Sequence, residues 1–142
     1  MNEPLEGEHK TPSDLLARFI TANAWVRKDG TIRQDAFMPP KDLNLSVTRH
    51  LRLSEEEMWR IGEAIVTKIG ERRAAALLGR ADLHDHEVTP LGLNTVPAPR
   101  PENPNHAHIT GWPADKPEQK ELALNLAAAA RYVAKRAAGV EQ

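Results

Sequence analysis

Proline sets the outline of this chain. Most of its eleven prolines fall between Pro90 and Pro117, and another pair stands at Pro39-Pro40. The pyrrolidine ring fixes φ and removes an amide donor, so these stretches cannot hold an uninterrupted helix or a central strand pair. Strong apolar segments flank them, and they therefore read as ordered loops and short extended connections, not as disorder. The 142 residues fit one domain, long enough to bury a core without metals or disulfides.

Composition narrows the classes of function. The chain has no cysteine, which removes thiol catalysis, thiolate metal sites and disulfide stapling and fits a reducing compartment. Nineteen basic and twenty acidic side chains leave a formal net charge of −1, without the long-range attraction that a basic domain exerts on nucleic acid. The acidic start Met1 to Glu8 lacks the apolar run of a secretory signal, and no segment has the length and apolarity of a membrane span. The expectation is a cytoplasmic protein that meets neither membrane nor nucleic acid.

Residues 1–10 are polar and read as a flexible N-terminus, with residues 11–142 forming a single domain. Thr11-Pro12-Ser13-Asp14 offers a helix cap, and Leu15, Leu16, Phe19 and Ile20 give the short helix behind it an apolar face. Asp29-Gly30, inside Trp25–Arg33, predicts a hairpin. Leu45–Leu51 alternates as a strand with Ser46, Thr48 and His50 on a polar face. Ser54-Glu55-Glu56-Glu57 is a capping box for a helix carrying Met58, Ile61, Ile65 and Ile69 at spacings of three and four, with Gly70 placed to end it.

Ala74–Leu78 is an apolar run of helix or short strand, and Asp82–Leu91 reads as a turn or one short helix. Leu93–Val96 and His106–Trp112 look extended. Asp115 caps a last, Ala-rich helix lined by Leu122, Leu126, Ala130, Val133 and Ala137, with Arg131, Lys135 and Arg136 complementing its C-terminal dipole. The expected fold is α+β, a mixed or antiparallel sheet of about four to six strands with three main helices. No glycine-rich phosphate loop and no Gly-x-Ser-x-Gly elbow occurs.

The candidate chemistry lies in the histidines. His84-Asp85-His86 and His106-Ala107-His108 are two His-x-His pairs, and on a strand such residues share a face. Brought onto adjacent strands, His84, His86, His106 and His108 would converge on a borderline divalent ion, with Asp82, Asp85 or Glu87 behind them. The simpler reading makes them surface or hydrogen-bonded histidines, and no cofactor is called for. Asn103–Gly111 can also build a polar ligand pocket from Arg49, Asn105 and His106 with Trp112 as its aromatic wall. Lys68, Arg72, Arg73 and Arg80 read as a solvated helix end.

His108-Ile109-Thr110 resembles the His-x-Thr core of the two-histidine phosphoesterases. That resemblance implies an acid/base pair of His50 and His108, Thr110 as a hydrogen-bond donor and Arg49 or Arg52 as a phosphate clamp. The second motif departs from the pattern, since His50-Leu51-Arg52 has arginine where the hydroxyl should stand. Across residues 15–135, Ala36-Phe37, Leu45–Arg49, Asn105–Pro113 and the Ala-rich end together resemble small bacterial proteins of unknown function. This implies a bacterial cytosolic setting and no catalytic residues. The leading expectation is therefore a binding or accessory module working through protein or small-ligand contacts. The competing one is a histidine-dependent phosphoesterase or nucleotide-processing enzyme, metal-assisted or not.

Overall fold

The computed structural model describes residues 15–70 and 76–135, and its architecture follows from one strand buried on both sides. Strand β1 (Leu15–Ile20) lies inside a six-stranded antiparallel sheet, flanked by β2 (Leu45–Arg49) and β3 (Gly79–His84). Beyond β2 come β5 (His106–Thr110) and the edge strand β4 (Asn94–Pro97), and β6 (Arg131–Ala134) forms the opposite edge. Among the described residues, two long α-helices accompany the sheet: α1 (Glu55–Gly70) and α2 (Lys116–Ala129). The chain is a single α+β domain with an antiparallel sheet.

The helix expected over Leu15–Ile20 is β1. Its apolar spacing fits a helix face, but a strand covered on both sides also reads as a nearly continuous apolar run. Leu16 and Ile20 enter one core with Leu45, Val47, Ala81, Leu83 and Ile109, while Ala17 and Phe19 meet Met58 and Val66 of α1 in a second. The polar face of β2 is likewise covered, with Thr48 and His50 at most 3% exposed.

The capping box at Ser54 forms in both directions: Glu57 N–H donates to Ser54 Oγ at 3.1 Å, and Ser54 N–H to Glu57 Oε1 at 2.8 Å. Asp115 caps α2 by accepting from Glu118 N–H at 3.1 Å. Helix α2 packs chiefly on the Gln34–Phe37 turn, burying Ala123, Leu126 and Ala127, and so differs from the expected stripe. It also stops earlier than its alanines suggest. Ala130 is extended, and Tyr132 and Val133 continue as β6 beside β3, so strand pairing overrides helix propensity. Arg131 therefore lies on the sheet edge, and Lys135 pairs with Glu63 at 3.1 Å instead of serving the helix dipole.

The Trp25–Arg33 hairpin is present in short form, with a single Val26–Ile32 bridge and Gly30 at φ 89°. Asp82 falls inside β3, and only Asp85–Glu87 and Thr89–Leu91 turn as short 3₁₀ segments. The first cap signal at residues 11–14, Ala74 and Ala75 of the Ala74–Leu78 run, Arg72, Arg73, Arg136 and Ala137 lie outside the described residues.

Gly79 tests the β3–β6 contact. A Cβ there would stand 2.6 Å from Val133 O and from a ring carbon of Tyr132. Backbone cannot yield as a flexible side chain does, so Gly79→Ala should cost about 1–3 kcal/mol, read as a lower urea midpoint with an unchanged m value.

Candidate functional site

Two charged centres lie in the β1–β2–β3 region, and they differ in how their cations are satisfied. The first joins β2, β3 and the start of α1. Arg80 and Asp82 alternate along β3 and so share a face, where Arg80 Nε donates to both Asp82 oxygens at 3.0 and 3.1 Å. Arg80 Nη1 and Nη2 reach Glu55 at 2.9 and 2.8 Å, and its guanidinium lies 4.8 Å from the centre of the Trp59 ring. His50 Nε2 is 3.3 Å from Asp82 Oδ1. His50, Arg80 and Asp82 are 3%, 3% and 5% exposed, so this set fastens α1 to the sheet.

Burial alone would lower the Arg80 pKa, but the hydrogen bonds and charges of Glu55 and Asp82 outweigh it and hold it above the ordinary value. The Arg80 hydrogen bond in turn lowers the Glu55 carboxyl. Arg80, expected at a solvated helix end, is thus an interior residue.

The second centre opens where β1 and β2 part. Strand β1 pairs with β3 along its whole length, from Leu15–His84 to Ile20–Gly79, whereas its pairing with β2 is confined to Leu16–Arg49 and Ala17–Thr48. Arg18 spans the split: Nε donates to Ala36 O at 2.8 Å and Nη1 to Ser46 O at 3.1 Å, with the guanidinium 5.3 Å from the Trp25 ring centre. No carboxylate among the described residues pairs with it. Burial lowers its pKa to about 10. Two adjoining cavities, of about 140 and 260 Å³, share Arg18, Ser46, Ile65 and His106 as lining.

His106 is the third wall of this cleft. Its Nδ1 lies 2.9 Å from Ala98 O, while its buried Nε2 has no hydrogen-bond partner among the described residues. Burial lowers its pKa below the ordinary 6.5. Lys68 and Arg100 add positive charge at the rim, and Glu102 lies 3.7 Å from Lys68.

The sequence-derived candidates separate around these centres. His108 and Thr110 are half-buried on β5, opposite Ser46 and Asn94 respectively. His50 shares the His108 face but stands four residues further along β2, about 13 Å at the rise of a strand. Arg49 is paired with Leu16, and strand alternation turns it to the opposite side from His50. The acid/base pair and its clamp are thus not brought together.

Asn105 Nδ2 donates to Arg49 O at 3.0 Å, tying a loop to β2. Trp112 sits in the opposite core with its Nε1 donating to Ile109 O, so it is no wall of the His106 cleft. The rings of His84 and His86 stack at 5.0 Å, and those of His106 and His108 meet edge to face at 4.8 Å. Three strand spacings, about 14 Å, separate the two pairs, and among the described residues no three histidine or carboxylate side chains gather as a metal site. Arg18 was missed by the sequence reading, although an arginine inside an apolar run was its signal. Arg80-x-Asp82 is likewise a strand-face pair in retrospect.

No family model, curated protein or solved structure matches the chain. Among the described residues, no helix is long and apolar enough to cross a membrane.

Asp82→Ala would leave Arg80 Nε and His50 without their interior carboxylate and should cost about 3 kcal/mol, whereas Glu55→Ala, at a side chain 69% exposed, should cost about 1 kcal/mol or less. Comparing the two urea midpoints checks this. His106 gives a pH signature: its folded pKa is depressed, so the unfolded chain takes up the proton first as pH falls. Its contribution is intact above about 6.5 and is lost on acidification through the folded value. His106→Phe should flatten that part of the midpoint-against-pH curve.

Proposed function

We propose that this chain is a binding module that holds a small anionic ligand in the cleft between the parted strands β1 and β2, beneath α1. The carrying observation is Arg18, a half-buried cation that lines the cleft without a carboxylate partner among the described residues. A cation in that position is favoured by any anion that reaches it, because charge-assisted hydrogen bonds gain strength where water is scarce. Arg80, by contrast, already holds two carboxylates.

Of the two kinds of contact expected from the sequence, a small ligand suits this cleft better than a protein surface, since its cavities measure about 140 and 260 Å³. A wider cavity of about 630 Å³, between the Arg27–Ile32 hairpin and the end of α2, carries less argument: Arg27 and Asp29 there already bond Thr31, and no buried polar atom in it lacks a partner. The separation of His50 from His108 speaks against the phosphoesterase reading. The bacterial cytosolic setting implied by the resemblance belongs to this same proposal.

Calorimetric titration with small carboxylates and phosphates tests the reading. Binding should weaken by roughly 10- to 100-fold in Arg18→Met, the loss of about 1.5–3 kcal/mol from a hydrogen bond to a charged group. Absence of binding by any of these anions would overturn it. So would hydrolysis of bis(p-nitrophenyl) phosphate that His108→Ala abolishes.

A further inference from the structure

The tautomer of His106 defines the ligand more closely. Ala98 O can only accept, so the ring nitrogen 2.9 Å from it, Nδ1, carries the proton. In the neutral ring Nε2 then bears a lone pair, and this atom is buried without a partner among the described residues. Burial opposes the second proton that would turn it into a donor. The cleft therefore offers opposite demands at its two polar walls: Arg18 presents N–H groups and requires an acceptor, while His106 presents a lone pair and requires a donor.

The two walls are close. Thr48 stands opposite His106, and Ser46, whose carbonyl receives Arg18 Nη1, is the diagonal neighbour of His106. Arg18 and His106 both line the same two cavities, of about 140 and 260 Å³. Spaces of that size admit only a compact molecule, so its donor lies within a few bonds of its negative charge.

We infer that the ligand is a small oxyanion carrying its own hydroxyl, whose charged oxygens meet Arg18 while its O–H donates to His106 Nε2. This rests on the binding reading above and names the chemistry of the same site. Two sources share that chemistry: an α-hydroxycarboxylate and monohydrogen phosphate. A plain carboxylate or sulfate satisfies Arg18 but leaves Nε2 without a donor.

Matched probes separate these cases. Calorimetric or NMR titrations would compare glycolate with acetate and phosphate with sulfate near neutral pH. The hydroxyl-bearing member of at least one pair should bind about 10-fold more tightly, the worth of about 1.4 kcal/mol. The pair that shows the preference identifies the source. His106→Phe should bring the two members of each pair to equal affinity, whereas Arg18→Met should weaken all four.

A long-range ¹H–¹⁵N imidazole spectrum of the unaltered protein supplies a reading that does not depend on the variant folding. Glycolate or phosphate should move the His106 Nε2 resonance toward lower frequency, as accepting a hydrogen bond requires, and acetate or sulfate should not. Equal affinities within both pairs, with binding still dependent on Arg18, would overturn the hydroxyl requirement and leave the anion site standing. No binding by any of the four would overturn both.

Discussion

Burial of β1 on both faces is the constraint from which the rest follows. Leu16 and Ile20 face one core and Ala17 and Phe19 the other, so the strand has no solvent side on which to place a charge. Arg18 nevertheless lies between them. A guanidinium there must spend its donors inside the protein, and it does so on two backbone carbonyls. Ser46 O belongs to the strand from which β1 has parted, and Arg18 holds that separation together.

Buried Arg80 and half-buried Arg18 show how context decides what a charge can do. Arg80 has Asp82 and Glu55 beside it and the Trp59 ring nearby, and its donors Nε, Nη1 and Nη2 are all engaged by carboxylates. Interior ion pairs of this kind contribute little net stability beyond an apolar replacement, because desolvation offsets attraction. Their effect here is positional: Glu55 opens α1 and Arg80 lies on β3, so the pair fixes where the helix begins over the sheet. Arg18 has carbonyls and an indole face but no counter-charge among the described residues.

Much of the fold was legible because it rests on local chemistry. Ser54 with Glu57, and Asp115 before Pro117, mark helix starts through side chains three residues apart, and both caps form as read. The β2 alternation and the extended His106–Thr110 segment are likewise near-neighbour signals. The errors arose where partners distant in sequence decide the outcome. Leu15–Ile20 carries a helix-compatible spacing, and only the presence of β2 and β3 makes it a strand. The alanines of α2 favour continued helix, yet Tyr132 and Val133 find β3 across some fifty residues of chain. For the site, the sequence singled out β5 and His106, which lines the proposed cleft. It could not show that Trp112 turns to the other core, or that Arg18 and His106 line one cleft, since both depend on strand register.

The placement of β1 also bears on the order in which this molecule can come into being. It precedes the other five strands in the chain, yet it lies inside the sheet, and its longest partnership is with β3, where Ala17 faces Asp82. A ribosome delivering the chain in sequence would release β1 and then β2 well before residues 79–84 appear. Until then one whole flank of an apolar strand has nothing to pair with. Such non-local pairing slows folding and exposes strand edges on the way. The Ser54 cap lies in that interval, and α1, arriving before β3, can shield Ala17 and Phe19 while the second flank waits.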